Sequence, residues 1–550
     1  MSVMNKYIVF SLLLLSFSAR GKEKDKDRET KQDAKPKLVV GLVVDQMRWD
    51  YLYRYSERYG EGGFKRMMTK GFNCQNTMIN YLPSFTAPGH ASIYTGSVPA
   101  LHGIASNDWY DNADQKAVYC TEDAGVEGVA CTGRAGQMSP RNLKVSTITD
   151  ELRLATNFNS RVFGISIKDR GSILPAGHLA NGAYWYDNAE GNFVSSSYYG
   201  KELPQWMTKF NEEKNAKKYL EQGWETLYPL NTYVQSLQDN NVYEGNLRTE
   251  SSPVFPHLKE SKATDFYLLR YLPQGNTIVF DAGRACIEGE QLGMKGYTDF
   301  LCMSLSATDY AGHAFTPNSI EVEDMYLRLD KDLETFLVYL DTKLGKDGYT
   351  IFLTADHGGA HNAQFMKDKG IPAGNASETE VLKQLNEHLK GQFWRDSIVR
   401  EVGNYQVYLN ETLIEKEILN REEIKKTIAK WFKRQDGVAY VVDMELMEVT
   451  VLPEPLRTMV VNGYNARRSG CLQIITEPGW YSGHATTGTT HGSWNPYDAH
   501  IPLLWYGYGI APGVSYRTIN MTDIAPTLAA LLHIQMPNAC VGQVITEIVK

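Results

Sequence analysis

Four runs of consecutive aliphatic and β-branched residues divide the chain, and polar or charged side chains follow each of them. The runs are Leu38–Val44, Arg161–Ile167, Phe300–Leu305 and Tyr349–Ala355. Apolar runs without alternation are typical of strands buried on both faces of a parallel sheet. Helical spacing of apolar residues predicts a helix over 322–344, opened at Ser319 and closed at Gly345. This order of elements predicts an α/β fold with a doubly wound, mostly parallel sheet sandwiched by helices.

Two segments interrupt this regular pattern. Residues from about 184 to 276 and from about 370 to 484 are rich in Tyr, Trp, Asn and charged residues. We expect both to be insertions that form a cap over one edge of the sheet. The core pattern returns with the apolar run 501–506 and a terminal helix near 523–532. The sequence therefore predicts one catalytic domain over 38–550 with two cap insertions.

The first 37 residues have a different character. Lys6 precedes the apolar run Tyr7–Leu15, and small residues follow up to Ala19, so residues 1–19 are predicted to be a cleaved signal peptide. The run is shorter than the roughly 20 residues of a membrane helix, and no membrane span is expected after cleavage. Residues 20–37 are mostly charged and predict a disordered tether. These features predict a bacterial protein that is periplasmic or secreted.

Composition and charge restrict the possible partners. Hydrophobic residues make up 43% of the chain and charged residues 22%, as in globular domains, and the formal net charge is −8. This balance argues against nucleic acid and acidic membranes as partners, because both require basic patches. None of the seven cysteines has zinc-ribbon spacing. Cys120 and Cys131 bracket a short polar segment, and either a disulfide or two free thiols fits this spacing in an oxidising compartment.

Carboxylates and imidazoles follow the strand-like runs. The candidate metal ligands are Asp45, Asp309, His313, Asp356, His357 and His491. We place Asp309 and His313 on a loop after the third run. Strand ends meet at one edge of a doubly wound sheet, so these side chains are expected to converge, whereas each alone could be a turn former or a helix cap. A mixed carboxylate and imidazole set favours a divalent ion, usually zinc, and this set is large enough for two.

Thr86 is the candidate nucleophile. Pro88 starts a short helical run that Gly96 ends, so the Thr86 hydroxyl is expected at a helix N-terminus. Free backbone N–H groups and the helix dipole favour an alkoxide or a phosphate there. A threonine in this position is also a common N-cap, so the nucleophile interpretation depends on the metal ligands around it.

Taken together, these residues resemble a known family. Asp45, Thr86, Asp309-x-x-x-His313, Asp356-His357 and Thr490-His491 resemble the metal and nucleophile set of the alkaline phosphatase superfamily. The segments 41–48, 106–109 and 168–170 resemble in particular the phosphate-irrepressible alkaline phosphatases. The resemblance covers essentially the whole mature chain.

The resemblance implies a site with two zinc ions. One zinc would be held by Asp309, His313 and His491, and the other by Asp45, Asp356 and His357, with Thr86 bridging toward the phosphoryl group. The resemblance also implies that Asn107, Lys168 and Arg170 bind the non-bridging phosphoryl oxygens. Lys168 and Arg170 would point to the same side if the geometry of the preceding strand continues through them.

The predicted activity is the hydrolysis of small-molecule phosphate monoesters by a secreted zinc enzyme through a phosphothreonine intermediate. One alternative is a phosphodiesterase or nucleotide pyrophosphatase with the same metals. Another is a zinc-dependent binding protein without catalysis, against which the intact Thr86 argues. A sulfatase is excluded, because threonine cannot be converted to formylglycine and His90 replaces the arginine of the sulfatase motif.

Overall fold

The computed structural model describes residues 35–248, 250–258, 264–483 and 486–549. The predicted signal peptide and the predicted tether up to residue 34 lie outside these ranges. Lys37 donates its backbone N–H to the carbonyl of Gly348 over 2.8 Å, so the described chain begins against the central sheet. None of the helices within these ranges combines the length and apolarity that crossing a membrane requires.

The strands of the described chain follow in order. They are β1 (Leu38–Val44), β2 (Phe72–Met78), β3 (Asp108–Asp111), β4 (Lys116–Tyr119), β5 (Gly128–Val129), β6 (Val162–Ser166), β7 (Gly182–Asp187), β8 (Asn192–Ser196), β9 (Asp299–Leu305), β10 (Tyr349–Thr354), β11 (Gly374–Ala376), β12 (Val399–Gly403), β13 (Gln406–Leu409), β14 (Val438–Asp443), β15 (Leu472–Thr476), β16 (Trp480–Ser482), β17 (His500–Gly507), β18 (Gly513–Ser515) and β19 (Ile519–Asn520).

The α-helices of the described chain are numbered in the same way. They are α1 (Tyr51–Arg54), α2 (Phe64–Lys70), α3 (Thr86–Thr95), α4 (Pro99–His102), α5 (Ile148–Ala155), α6 (Asp169–Ala176), α7 (Gln205–Glu212), α8 (Asn215–Gln222), α9 (Gln274–Glu290), α10 (Ala307–Phe315), α11 (Ile320–Leu344), α12 (Ala363–Asp368), α13 (Glu378–Phe393), α14 (Glu411–Lys416), α15 (Arg421–Phe432), α16 (Leu456–Gly463), α17 (Pro496–Ala499) and α18 (Ile524–Leu532).

An eleven-stranded sheet forms the centre of the molecule. Its neighbours run in the order β18, β2, β17, β10, β1, β9, β6, β7, β8 and β5, and β19 also pairs with β2. The five strands from β10 to β7 pair in parallel, and β17 and β8 join them antiparallel on either side. The predicted mostly parallel α/β sheet is therefore confirmed, and antiparallel strands extend it on both sides.

Helices cover both faces of this sheet, as predicted. On one face, the thiol of Cys302 in β9 contacts the carbonyl of Pro175 in α6 at 3.6 Å. The next residue, Met303, points to the opposite face and packs closely on Gly283 of α9. A Cβ added to Gly283 would lie 2.8 Å from the methyl group of Met303. The long predicted helix is also present as α11, with the Ser319 hydroxyl accepting a hydrogen bond from the backbone N–H of Val322.

The structure corrects the start of the first predicted insertion and shows a separate sheet within the second. The start of the first is wrong, because Tyr184 lies inside β7 of the central sheet, in parallel register with Ile165 of β6. Its aromatic residues fill a buried strand rather than a cap. The second contains a separate four-stranded sheet in the order β12, β13, β15, β14. This sheet has its own core, which includes Leu385, Ile428 and Ile474.

Of the two alternatives for Cys120 and Cys131, the structure shows two free thiols and no disulfide. Cys120 packs with Trp109 and Val118, whereas Cys131 lies against the cluster that contains Trp185. The two thiols are held in different apolar clusters, so the short sequence distance does not pair them.

A buried histidine links the segment before residue 258 to helix α11. His257 Nδ1 lies 2.8 Å from a carboxylate oxygen of Glu250, and its Nε2 lies 3.1 Å from a carboxylate oxygen of Glu321. Burial alone would lower the pKa of His257, but these two carboxylates outweigh burial and raise the pKa to about 9. His257 is therefore an imidazolium held between two acids at neutral pH.

Candidate active site

The carboxyl ends of three neighbouring parallel strands supply most of the site. Asp45 follows β1, and Asp356 and His357 follow β10, which pairs in parallel with β1. His357 Nε2 lies 3.5 Å from a carboxylate oxygen of Asp45 and 3.6 Å from one of Asp356. The structure therefore brings these three predicted ligands together at one sheet edge, as strand order requires.

Asp309 and His313 lie on helix α10 rather than on the predicted loop. The helix begins two residues after β9 ends, and the i, i+4 spacing puts both side chains on one helix face. Oδ1 of Asp309 lies 3.2 Å from His313 Nε2 and 3.8 Å from His491 Nε2. The helix thus presents Asp309 and His313 as a pair, and His491 joins them from a distant part of the chain.

Backbone carbonyls orient all three imidazoles. The Nδ1 atom of His313 lies 2.8 Å from the Thr489 carbonyl, that of His357 lies 2.9 Å from the Gly358 carbonyl, and that of His491 lies 2.8 Å from the Ser84 carbonyl. A carbonyl only accepts hydrogen bonds, so each Nδ1 carries the proton and each Nε2 keeps its lone pair. Hydrogen bonds of this kind fix the tautomer and the ring orientation of metal-binding histidines.

Three buried carboxylates concentrate negative charge at this edge. Asp45, Asp309 and Asp356 are at most 4% exposed. The Lys168 ammonium contacts Asp45 at 2.8 Å and Asp309 at 2.6 Å, but Asp45 Oδ1 and Asp356 Oδ2 have no hydrogen-bond partner among the described residues. Burial, followed by repulsion from Asp309 and Asp356, raises the pKa of Asp45 to about 8. One ammonium does not balance three carboxylates, and the donor set therefore fits divalent cations.

Two groups of side chains have ligand atoms close enough together to hold a metal ion. Asp309, His313 and His491 form one group, which is the first zinc set that the family resemblance implies. Asp45, Asp309 and His357 form the other, which shares Asp45 and His357 with the second zinc set that the resemblance implies. Asp356 lies beside this second group. Burial opposes its ionisation, but His357 and His90 outweigh burial and lower the pKa of Asp356.

Thr86 is the first residue of helix α3, where the Pro88 signal predicted a helix start. Phe85 is the N-cap residue, so the alternative reading of Thr86 as the N-cap is wrong. The Thr86 Oγ1 atom instead lies 3.4 Å from His357 Nε2, and the residue is 1% exposed. The predicted end of the helix is also confirmed, because Gly96 follows it with φ of 63°.

Asn107 lies beside the same helix start. Its side-chain oxygen accepts a hydrogen bond of 2.9 Å from the backbone N–H of Ala87. The amide is fixed by this bond, and its NH₂ group is the part left to donate to a ligand near Thr86. The structure therefore places Asn107 next to the candidate nucleophile.

The geometry of Lys168 and Arg170 differs from the prediction, and of the two only Lys168 contacts candidate metal ligands among the described residues. Strand β6 ends at Ser166 and helix α6 begins at Asp169, so the strand does not continue through the two cations. Lys168 is the N-cap of α6 and extends its ammonium to Asp45 and Asp309. Arg170, in the first helical turn, donates to the Tyr119 hydroxyl over 3.0 Å. Attraction to Tyr119 and Asp169 overcomes the effect of burial and raises the pKa of Arg170.

Sequence reasoning missed Gln46, which touches two candidate ligands. Its backbone N–H donates to Asp356 Oδ1 over 3.2 Å, and its Nε2 donates to Asp309 Oδ1 over 2.7 Å. Gln46 has φ of 62°, and a Cβ on Gly312 would lie 2.0 Å from its side-chain oxygen. Glycines next to the ligands, at 312 and at 358–359, were the available signal, because they mark a close approach of another chain segment.

Tyr405 was also missed, and the sequence carried no signal for it. It lies in the turn between β12 and β13 of the second sheet, far along the chain from the site. Its hydroxyl donates to the carbonyl of His491 over 3.1 Å, and its ring stacks on Phe85 with centroids 6.4 Å apart. The neighbouring Asn404 accepts a 2.7 Å hydrogen bond from Ser106. The inserted sheet therefore supports the candidate site directly.

The chain is similar to known proteins over nearly its whole length. The model of the type I phosphodiesterase / nucleotide pyrophosphatase family matches residues 39–498. The chain is 52% identical over 521 residues to a Myroides odoratus protein named calcium-transporting ATPase, covering 94% of this chain and 95% of that one. It is 48% identical over 525 residues to alkaline phosphatase PafA of Elizabethkingia meningoseptica, covering 95% and 96%.

Crystal structures of PafA resemble the fold closely. The wild-type structure superposes with a TM-score of 0.92 at 48% identity, over 94% of this chain and 99% of that chain. A second structure is of a PafA variant in which one threonine is replaced by serine, and one asparagine, one lysine and one arginine are replaced by alanine.

Proposed function

The chain belongs to the type I phosphodiesterase / nucleotide pyrophosphatase family of the alkaline phosphatase superfamily, and on that premise we propose that it is a zinc-dependent phosphate monoester hydrolase with Thr86 as nucleophile. The observation that carries the proposal is the position of Thr86. Its hydroxyl lies at a helix N-terminus, 3.4 Å from His357 Nε2, among the buried carboxylates and imidazoles of the candidate metal site.

The substituted PafA variant supports the choice of substrate-binding residues. The number of residues between Thr86 and Asn107 is the same as between the replaced threonine and asparagine of that variant. The spacing of Lys168 and Arg170 likewise equals that of its replaced lysine and arginine. We therefore assign the three polar side chains of Asn107, Lys168 and Arg170 to the non-bridging phosphoryl oxygens.

Two zinc ions are part of the proposal. Asp309, His313 and His491 would hold one, and Asp45, Asp356 and His357 the other. Bound there, zinc would lower the pKa of the Thr86 hydroxyl and stabilise the negative charge that develops on the leaving oxygen.

The residues of the chain carry out the remaining steps. The Thr86 hydroxyl loses its proton as its oxygen attacks phosphorus, the bond to the leaving alcohol breaks, the oxygen of that alcohol takes up a proton, and a phosphothreonine forms. Water then attacks phosphorus, inorganic phosphate leaves, and the Thr86 hydroxyl is restored. The Asn107 amide and the two cations hold the oxygens of the anion beside the start of α3.

Fixed positive charge favours monoesters over diesters. A monoester dianion presents three non-bridging oxygens, whereas a diester carries one charge and a second organic group. Lys168 is buried and Arg170 is largely so, which strengthens their attraction for the dianion. Phosphodiesterase activity is the second candidate, because the matching family is described as a phosphodiesterase and pyrophosphatase family.

One experiment separates these functions. Zinc content and kcat/KM should be measured together on an aryl phosphate monoester, the matching diester and the matching sulfate ester, before and after chelation. We expect two zinc ions per chain, monoester turnover well above the other two, and loss of turnover on chelation with recovery in zinc. A preference for the diester would select the second candidate, and turnover that survives chelation would exclude the metal mechanism.

Export to the periplasm or beyond also belongs to the proposal. It is supported by the signal-peptide pattern of residues 1–19. The test is cell fractionation with sequencing of the mature N-terminus. Cleavage after about residue 19 and recovery outside the cytoplasm are expected, and a cytoplasmic protein that keeps Met1 would contradict it.

A further inference from the structure

A cavity of about 410 Å³ lies next to the second sheet, and none of the candidate metal ligands lines it. Residues of β12, β14 and β15 line one side, and residues of the short β11–β16 ribbon line another. Its volume is in the range of small-molecule binding sites. The cavity therefore has the size of a ligand site that is separate from the proposed catalytic centre.

Aromatic side chains form much of its wall. They are Tyr405, Trp431, Phe432, Trp480 and Tyr481. Trp480 is fixed between two glycines, because a Cβ on Gly374 or on Gly437 would lie 2.4 Å or 2.0 Å from its ring. Trp431 packs edge-on against Phe432 with ring centroids 5.0 Å apart. These contacts hold the rings in place before any ligand binds.

The charged residues of the lining are all acidic. Glu378, Glu380 and Asp436 line the cavity, and no Lys, Arg or His does so among the described residues. Ion pairs within the described ranges do not include any of these three carboxylates. Burial raises the pKa of Glu378, which is the expected effect for a carboxyl group without a nearby cation.

We propose that this cavity binds an organic cation whose charge is carried on an alkylated nitrogen. Ring faces attract such cations through their quadrupole, and aromatic walls of this kind suit quaternary ammonium groups. The alkyl groups would bury apolar surface against the rings, and the acidic residues complement the charge. A strongly hydrated metal ion would lose its water without gaining oxygen ligands from the rings, so the combination of walls and charge favours the organic cation.

The cavity and the catalytic centre share one wall residue. Tyr405 lines the cavity, and its hydroxyl donates to the carbonyl of His491. Binding in the cavity is nevertheless independent of the proposed function, because none of the candidate catalytic side chains lines it. An assay that blocks the catalytic centre can therefore test the cavity alone.

The test is calorimetry on the full-length metal-loaded protein with choline and with its neutral isostere 3,3-dimethylbutan-1-ol. Saturating inorganic phosphate keeps the catalytic centre filled. We expect choline to bind at least tenfold more tightly than the alcohol. Glu380→Gln with Asp436→Asn should bring the two affinities within threefold, because both side chains are solvent-facing parts of the lining and their loss removes charge but not shape.

Two further variants separate the cavity from other sites. Trp431→Leu should weaken both ligands, and circular dichroism checks that it folds. Glu387→Gln removes an acidic group from the same helix, α13, outside the lining, and should leave choline affinity unchanged. Equal affinity for choline and the alcohol, no choline binding, or choline binding that survives the Glu380 and Asp436 substitutions would each overturn the proposal.

Discussion

Replacing Gln46 by methionine should loosen zinc binding without changing any residue that would hold it. Methionine has nearly the length of glutamine, but it cannot donate the 2.7 Å hydrogen bond to Asp309 Oδ1. A hydrogen bond to a charged group contributes about 1.5–3 kcal/mol. That range corresponds to roughly 10- to 150-fold in affinity, which agrees with the 10–100-fold effects typical of residues that orient metal ligands.

The assay is competition for zinc with a chromophoric chelator, followed by kinetics at controlled free zinc. We expect Gln46→Met to release its first zinc at about 10- to 100-fold lower chelator concentration than the wild type. Added zinc should restore most of its turnover, because Thr86 and the ligands are intact. A kcat that recovers with zinc distinguishes loss of metal orientation from general misfolding.

A matched control comes from the same chain. Gln115 also has positive φ, 50°, and its side chain donates to a backbone carbonyl away from the site. Gln115→Met carries the same chemical change in the same backbone conformation and should hold zinc like the wild type. If Gln46→Met retained zinc within twofold of the wild type, or if Gln115→Met lost as much, the positioning role of Gln46 would be refuted.

Four more outcomes are expected. Thr86→Ala should reduce monoester turnover to trace level with zinc content nearly intact, whereas Thr86→Ser should keep substantial turnover; metal-dependent turnover of the alanine variant would contradict a covalent mechanism. Replacing both Lys168 and Arg170 by alanine should lower kcat/KM for the monoester by several orders of magnitude, because each lost contact is worth roughly 2–4 kcal/mol, and should lower kcat/KM for the diester much less. Equal losses on the two substrates would show that these residues do not select monoesters. Because the pKa of His257 is higher in the folded than in the unfolded protein, its ion pairs stabilise the fold fully below pH 6.5, by at most roughly 3 kcal/mol, and this stabilisation is lost as pH rises through about 9. The wild type should therefore have a higher Tm than His257→Gln at low pH, and the difference should shrink across that window. A difference in Tm that does not change with pH would count against the raised pKa. Cys131 should react with iodoacetamide in the unreduced native protein and Cys120 only after unfolding, whereas failure to modify either in the unfolded, unreduced chain would restore the disulfide.

The central sheet could be predicted because its signals are local. A strand buried on both faces has to be apolar throughout, and β1, β9 and β10 are such runs. Ser319 and Gly345 likewise mark the ends of α11 through their own conformations. The prediction for strand β7 was wrong, because a run rich in tyrosine and tryptophan is compatible both with a buried strand and with a cap.

The convergence of the candidate ligands could be predicted from the sequence, but their detailed geometry could not. Strand order implied that Asp45 and Asp356 meet, since both follow parallel neighbours. The helix that carries Asp309 was missed although Ser306 is its N-cap and Asp309 follows at capping-box spacing, because Asp309 and His313 were interpreted only as ligands on a loop. Gln46 and Tyr405 act through hydrogen bonds across the chain, and a single sequence does not show such contacts.

The spread of the candidate ligands along the chain sets the order of assembly. Asp309 follows β9 and His491 comes after the whole second sheet, so the two meet only when nearly all of the polypeptide has folded. Contacts this distant in sequence close late in folding. Metal would then bind the finished protein rather than guide an early intermediate, and a chain truncated before His491 would lose the centre even with every earlier strand intact. The supply of metal that matters is accordingly the one in the compartment where folding ends.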